Sequence, residues 1–138
     1  MAEENIQIVR KVFDAFVRRD VEAALDVMSA DVEFSAPATQ ALVDRHLSYE
    51  GHDGIRDYFM DVARAWTTLD VFLHEYHEVG DDRILVIGRV RGRGTAKHIV
   101  DGPAQWAWRI ENEKIVWGHI FTDREEAVKS IGLVEQAF

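Results

Sequence analysis

The chain has 138 residues, of which 47% are hydrophobic and 30% charged, with no cysteine and a formal net charge of −9. This composition predicts one globular domain over residues 1–138 and excludes disulfides, thiolate metal sites and cysteine nucleophiles. The acidic excess argues against partners such as nucleic acid or an anionic membrane surface, which require clustered positive charge. No apolar run approaches the roughly 20 residues that span a bilayer. The acidic N-terminus is unlike a signal peptide, so a cytoplasmic location is predicted.

The first half of the chain is predicted to be mainly helical. Apolar residues recur at spacings of three and four over residues 6–17, which predicts a first helix. Asp20 is a candidate N-cap for a second, short helix, because its carboxylate can accept from free amides of the first turn. A stripe from Ile55 to Trp66 predicts a third helix. Alternation over residues 32–36 predicts a short edge strand, and residues 39–49 are interpreted as a loop.

The second half is predicted to be a run of strands ending in a helix. Turn-forming residues separate the apolar segments, and Asp123 is a candidate N-cap for the last helix, with Gly132 at its end. The four predicted strands cover residues 69–79, 84–91, 104–110 and 115–122. This order predicts the α+β class: three N-terminal helices on one face of a curved, mixed or antiparallel sheet, and a short C-terminal helix. Such a cone can enclose a pocket at its open end.

Four stretches carry a family resemblance that covers nearly the whole chain. They are residues 20–25 with 29–34 (DVEAAL, SADVEF), 49–59 (YEGHDGIRDYF), 108–115 (WRIENEKI), and 121–127 with 131–133 (FTDREEA, IGL). In these stretches the chain resembles SnoaL-like and ketosteroid-isomerase-like proteins of the nuclear-transport-factor-2-like (NTF2-like) superfamily. The resemblance implies the NTF2-like, cystatin-like cone. It does not choose a reaction, because the superfamily holds isomerases, cyclases, hydrolases, dehydratases and non-catalytic binders.

The resemblance also bears on site residues. The proton-transferring positions of ketosteroid isomerases match Val12, Ala36 and about Trp106 here, and none of these can transfer a proton. By contrast, Asp123 matches the last carboxylate of limonene epoxide hydrolases and the approximate position of the base in SnoaL-type polyketide cyclases. The resemblance therefore implies a catalytic carboxylate at Asp123.

Strand periodicity favours an acid–base pair at the end of the last strand. With a period of two, His119 and Asp123 share one face with Trp117 and Phe121. If that face lines the pocket, Asp123 is the predicted base and His119 its partner. The structural alternatives are a helix cap at Asp123 and a half-buried histidine in the sheet or at a dimer interface.

Two arginines on one strand face are further candidates. Arg91 or Arg89 would stabilise developing negative charge or bind substrate if it pointed into the pocket. The alternative is pairing with acidic residues of neighbouring strands. Arg89-Val90-Arg91 matches the Arg-x-Asp pair of limonene epoxide hydrolases with the acid replaced by Arg91.

Aromatic and polar residues near the expected pocket are predicted to bind substrate. Several Trp on shared faces predict an aromatic pocket and hence a hydrophobic or aromatic ligand, although plain core packing gives the same pattern. The predicted substrate-binding residues, besides Arg89, are Trp66, Trp106, Trp108, Phe16, Tyr49 and His52. For His52 the alternative is an ordinary polar group at a helix start.

No metal or cofactor is predicted. His74 and His77 resemble a metal motif, but in a strand they face opposite sides. The chain also has no glycine-rich phosphate loop and no serine nucleophile elbow.

Three hypotheses about function follow. The first is a cofactor-free enzyme that isomerises, cyclises or adds water to a small hydrophobic molecule. The second is a module that binds such a molecule unchanged. The third is a scaffold with a collapsed pocket, which a cavity below ~300 Å³ would favour. A homodimer through the exposed sheet face is also expected.

Overall fold

The computed structural model describes residues 2–132, which form five α-helices, one 3₁₀-helix (Thr95–Lys97) and six strands. The helices are α1 (Ala2–Arg18), α2 (Val21–Leu25), α3 (Pro37–Leu42), α4 (Gly51–Ala65) and α5 (Arg124–Ser130). The strands are β1 (Met28–Ser35), β2 (Tyr49–Glu50), β3 (Trp66–Val79), β4 (Arg83–Gly94), β5 (Ile99–Glu111) and β6 (Lys114–Phe121). The predicted α+β class is confirmed, with one more helix before β3 than the sequence indicated.

The two N-terminal helices form where their apolar periodicity and caps predict them. The buried stripe of α1 includes Val9 and Phe13. The helix ends as Arg19 adopts a positive φ of 59°. Asp20 then caps α2, since its carboxylate accepts a 3.1 Å hydrogen bond from the Ala23 amide. The predicted cap is confirmed, and it turns the chain sharply between α1 and α2.

The sheet is mixed and has the strand order β2-β1-β6-β5-β4-β3. β1 pairs parallel with β6, and the other neighbours are antiparallel. The predicted edge position of β1 is wrong, because the two-residue strand β2 pairs along its outer side. Register shifts in β3 are bulges of the kind that bend a sheet.

Residues 39–49, predicted to be a loop, instead contain most of α3 and the start of β2. Pro37 occupies the first turn of α3, where a missing N–H costs nothing. The Gln40 side chain accepts a 2.6 Å hydrogen bond from the Ala36 amide and donates a 3.1 Å bond to the Leu47 carbonyl. This side-chain bracket stabilises a helix too short to show periodicity in the sequence.

The helix that the sequence predicted as the third is α4, and it ends one residue early. Trp66 was predicted to lie on the apolar stripe of this helix, and that placement is wrong, because Trp66 is the first residue of β3. Its backbone is already extended, with φ −119° and ψ 127°. Trp66 nevertheless stays buried, since the turn into β3 carries its ring back over the core.

The turns of the second half match the sequence. Gly80, with φ 64°, turns β3 into β4. Asn112 and Glu113 both have positive φ values of 51° and 63°, which is the requirement of the two-residue turn favoured in hairpins. Asp123 caps α5 by accepting from the amides of Glu125 and Glu126.

Apolar side chains pack on both faces of the sheet. The inner face packs against α1 and α4 and forms the larger core, which includes Val9, Val62, Trp106 and Trp108. On the outer face, α5 covers a smaller cluster around Leu85. No helix within residues 2–132 is long and apolar enough to cross a membrane.

Candidate functional site

A cavity of about 270 Å³ lies between α1, α4 and the inner face of the sheet. This volume is slightly below ~300 Å³, the lower end of ordinary small-molecule sites, so by size alone it favours the scaffold hypothesis by a small margin. It is well above the roughly 150 Å³ of an apolar cavity that takes up benzene. The space therefore fits a molecule of one or two fused rings.

The lining of this cavity is overwhelmingly apolar. Its fully or partly buried members come from α1, α2, α3, α4 and the strands β1, β3, β4, β5 and β6. They are Val12, Phe13, Phe16, Ala24, Met28, Phe34, Ala36, Thr39, Ile55, Tyr58, Phe59, Trp66, Leu69, Val71, Val90, Val100, Ala104, Trp106, Trp108, His119, Ile120 and Phe121.

The cavity opens at one end of the sheet. Its solvent-exposed lining residues are Pro37, Ala38, Pro103, Thr122 and Glu126. They follow β1 and β6 or lie in β5 opposite β4, so the opening lies at the ends of these central strands. This is the open end of the cone that the sequence predicted.

Three of the predicted aromatic residues form the floor and one wall. Trp106 and Trp108 meet the edge of the Phe13 ring at centroid distances of 5.4 and 5.8 Å. Phe34 stacks on Trp108 at 5.8 Å with only 13° between the planes. Phe16, also predicted, lines the cavity from the last turns of α1. These contacts hold flat aromatic surfaces toward the space between them.

Trp66 lines the cavity from the start of β3. Its indole Nε1 donates a 2.9 Å hydrogen bond to the Thr39 hydroxyl, and both side chains are buried. The bond ties α3 to the cavity wall. The Thr39 hydroxyl keeps its own proton to donate, because as acceptor it uses only a lone pair.

Tyr58 is a cavity residue that the sequence analysis missed. Four aromatic rings fix its position: Phe34 at 4.8 Å, Tyr49 at 5.2 Å, Phe16 at 5.8 Å and Phe59 at 6.2 Å between centroids. Burial raises its pKa well above that of an ordinary tyrosine, with the nearby Tyr49 adding to the effect. The phenol is therefore neutral and can donate a proton in a hydrogen bond. Its position three residues after Ile55 and four before Val62 fits the buried stripe of α4, but the sequence analysis did not include it.

His119 is among the residues at the cavity opening, whereas Asp123 is not. The imidazole ring lies on the outer face of β6, because His119 pairs with Ala107 of the cluster under α5. The His119 ring stacks on Phe121 at 4.1 Å and faces Trp117 at 6.1 Å. The Asp123 side chain is exposed and accepts from the first-turn amides of α5, at 2.9 Å from Glu125 and 3.4 Å from Glu126. The expectation that Asp123 points into the pocket is thus wrong in geometry, because strand pairing ends at Phe121 and the chain turns into the helix cap.

Glu126, which the sequence analysis missed, lies at the opening with His119. Burial lowers the pKa of His119, and the carboxylates of Glu126 and Glu33 partly offset that effect. Glu126 was hidden in the sequence among the acidic residues that suit the first turn of any helix. The carboxylate of α5 that lies at the opening with His119 is therefore not the predicted one.

Arg89 and Arg91 do not line the cavity, contrary to the prediction for these residues. Both are exposed on the outer face, while Val90 between them points inward. Arg89 donates to the Asp101 carboxylate at 2.5 and 2.9 Å, which is the cross-strand pairing proposed as the alternative. Strand β4 therefore contributes to the cavity lining through the residue between the two arginines, Val90.

The two remaining predicted residues also lie outside the cavity. The Tyr49 ring is fully buried, and its hydroxyl donates a 2.9 Å hydrogen bond to Asp61. His52 lines a separate surface depression, with its Nε2 3.0 Å from the Met28 carbonyl oxygen. Both therefore contact the protein framework rather than the cavity.

Within residues 2–132, no group of three or more His, Asp or Glu side chains is arranged to hold a metal ion. The cavity offers instead one phenol and two threonine hydroxyls, with an imidazole and a carboxylate bordering its opening. This set can hydrogen-bond to an oxygen and can move a proton.

A family model described as a SnoaL-like domain matches residues 9–117. The chain belongs to the SnoaL-like family. The match contains the aromatic wall but ends before His119 and Glu126. Membership therefore accounts for the framework of the cavity and leaves the groups at its opening to be argued from their own geometry. No curated protein matches this SnoaL-like chain.

Solved structures show the same fold. An NTF2-like protein of unknown function from Burkholderia pseudomallei K96243 is 26% identical, with 94% of this chain and 98% of that chain covered and a TM-score of 0.76. TerC, co-crystallised with polyporic acid, is 21% identical over 93% and 97%, with a TM-score of 0.75. A putative SnoaL-like polyketide cyclase from Jannaschia sp. CCS1 is 15% identical over 95% and 93%, with a TM-score of 0.71. The predicted NTF2-like architecture of this SnoaL-like chain is confirmed.

Proposed function

We propose that the chain binds a small, neutral, hydrophobic molecule of one or two rings in its cavity. The observation that carries this proposal is the lining, in which three tryptophan rings and six phenylalanine or tyrosine rings surround about 270 Å³ of space. Burying the rings of a ligand against such surfaces is favourable in proportion to the apolar area removed from water.

The charge of the lining favours a neutral ligand. Among the described residues that line the cavity, none is lysine or arginine, and Glu126 places a carboxylate at the opening. An anionic ligand would have to leave water without a cation to pair with, which is costly in an apolar site. TerC, which shares the fold, was co-crystallised with polyporic acid. The ligand class proposed for this chain rests on its own cavity rather than on that likeness.

The second candidate function is cofactor-free proton transfer on that ligand. It is favoured by His119, which borders the opening from the outer face of β6, because burial lowers the pKa of this imidazole and leaves it neutral near pH 7. A neutral imidazole can accept a proton from a ligand carbon beside a carbonyl group, and Glu126 can stabilise the imidazolium that forms. His119 takes over the role of base that the sequence analysis gave to Asp123.

Binding is tested with naphthalene and 1-tetralone, followed by quenching of tryptophan fluorescence. Ala104→Leu fills the cavity from β5 without adding charge, and we expect it to abolish binding of both probes. Ala41→Leu adds the same group at an exposed position of α3 outside the cavity, and should bind like the wild type. Equal binding by the two variants would place the probes elsewhere and overturn the proposal.

Proton transfer is tested by deuterium exchange. 1-Tetralone is incubated with the protein in deuterium oxide, and loss of the proton signal beside the carbonyl is followed by NMR. The wild type should accelerate this exchange, and His119→Gln should reduce it by about 10²-fold or more. If the protein binds 1-tetralone but the exchange rate equals that in buffer alone, the protein is a binding module, which is the alternative function. The cytoplasmic location predicted from the sequence is proposed together with the binding function.

A further inference from the structure

We infer that the hydroxyl of Tyr58 is the recognition group for an uncharged oxygen acceptor on the ligand, such as a ketone, quinone or ether oxygen. The inference rests on the proposed binding function and narrows its ligand class. Hydrophobic rings alone would be served by phenylalanine, so a phenol at this place calls for a partner.

The first observation is that the hydroxyl has no partner within the described part of the protein. No hydrogen bond joins Tyr58 to any other residue in the range 2–132, although its exposed fraction is only 7%. The hydroxyl is not one of the unpartnered polar atoms that protein atoms cover completely, so it borders open space. Tyrosine hydroxyls in protein interiors usually find a partner. Because Tyr58 lines the cavity, a ligand bound there can supply the acceptor.

The second observation is a contrast with two other polar groups. The Tyr49 hydroxyl is engaged with the Asp61 carboxylate at 2.9 Å. The Trp108 indole nitrogen has no partner among the described residues, but protein atoms cover it. Tyr58 therefore combines an unpartnered donor with a place in the cavity lining.

The third observation is that the donor is held in position and stays protonated. The Tyr58 ring is packed by Phe16, Phe34, Tyr49 and Phe59, so little freedom is lost when a ligand binds. Burial raises the pKa of this phenol, and the cation of Arg19 opposes the shift only in part. A neutral donor in an apolar wall suits a neutral acceptor, since no lysine or arginine among the described lining residues could pair with an anion.

The test compares 1-tetralone with tetralin, which has nearly the same shape without the oxygen. Tyr58→Phe keeps the ring and removes only the hydroxyl. We expect it to weaken binding of 1-tetralone about tenfold, or ~1.4 kcal/mol, and to leave tetralin unchanged or tighter. The carbonyl stretching band of bound 1-tetralone should lie at higher frequency in the variant than in the wild type. A purely structural role would not move that band.

The control is Tyr76→Phe, because Tyr76 is half-buried outside the cavity and should leave both affinities and the band unchanged. An equal effect of Tyr58→Phe on the two ligands, with the band unmoved, overturns this inference and leaves the proposed function standing. Failure of the wild type to bind either ligand overturns both.

Discussion

The Arg45 guanidinium donates a 2.9 Å hydrogen bond from Nε to Oδ2 of Asp61, whose side chain is only 6% exposed. The same guanidinium lies 4.6 Å over the ring of Tyr49, and the Tyr49 hydroxyl donates to the same carboxylate oxygen. These contacts fasten the segment between α3 and β2 to α4. The segment leads into α4, the helix that carries Tyr58. The Arg45–Asp61 pair therefore supports one wall of the cavity from outside.

Arg45→Met should destabilise the protein by about 1–3 kcal/mol, because it leaves a buried carboxylate short of its charged partner. Urea unfolding measures the change. The control is Arg56→Met, since Arg56 and Glu22 form a 3.1 Å pair in which both side chains are exposed. That pair should contribute under about 1 kcal/mol. Equal losses in the two variants would mean that Arg45 is only a surface charge.

The Trp108 ring lies directly over Gly118 of the neighbouring strand. A Cβ at Gly118 would lie 2.6 Å from Trp108 Cζ3 and 2.9 Å from the Phe34 ring. Gly118→Ala should therefore cost about 1–3 kcal/mol in unfolding free energy and shift the Trp108 ring, changing its fluorescence. Gly102→Ala is the matched control, because a Cβ there meets nothing within 4 Å. A neutral Gly118→Ala would show that the ring is not held against the strand.

Asp123 is placed to cap α5, and two substitutions separate capping from catalysis. Asp123→Ala should lower stability by about 1 kcal/mol, since two first-turn amides lose their acceptor. Asp123→Asn keeps a capping side chain and should retain both stability and deuterium exchange. Loss of exchange in Asp123→Asn, with stability intact, would restore the catalytic role that the sequence analysis gave this residue.

Local signals in the sequence predicted the framework well. Asp20 and Asp123 are recognisable caps because an N-cap needs only one residue and its following amides. The aromatic wall was also predictable, since Trp106 and Trp108 share parity in a strand whose burial is evident from its composition. Helix α3 was not, because it depends on the Gln40 side chain bonding to Ala36 and Leu47, a tertiary bracket with no periodic signature.

Which side chains face the cavity depends on where each strand stops and how it is paired. Parity grouped His119 with Asp123 correctly along an ideal strand, but β6 ends at Phe121, and the carboxylate at the opening is Glu126 instead. Arg89 and Arg91 were predicted as site residues, but the sequence does not show which face of β4 points into the cavity. Pairing of Gly88 with Ala104 and Val86 with Trp106 puts both arginines outside.

Helix α5 reduces the area of the outer sheet face that is free for the homodimer expected from the sequence. α5 covers the cluster around Leu85, while Phe72 stays 44% exposed on the neighbouring part of that face. The homodimer stays a prediction, and light scattering at micromolar concentration measures it. Phe72→Glu should shift the protein toward monomer if this face is the interface. A wild-type monomer would contradict the expectation.

Protonation of His119 should destabilise the fold in mild acid. Burial lowers the pKa of this residue in the native state relative to about 6.5 in the unfolded chain. Between the two values the unfolded state binds more protons, so stability rises with pH. This stabilisation is fully present above about pH 6.5 and is lost as the pH falls through the lower native pKa.

Urea unfolding at pH 7.5 and pH 5.0 should show a smaller difference in unfolding free energy for His119→Gln than for the wild type. His46→Gln, at a ring 85% exposed, is the control and should keep the wild-type difference. An unchanged difference in His119→Gln would mean that the imidazole meets water as freely when folded as when unfolded, which would also remove the reason to expect a neutral base at the cavity opening.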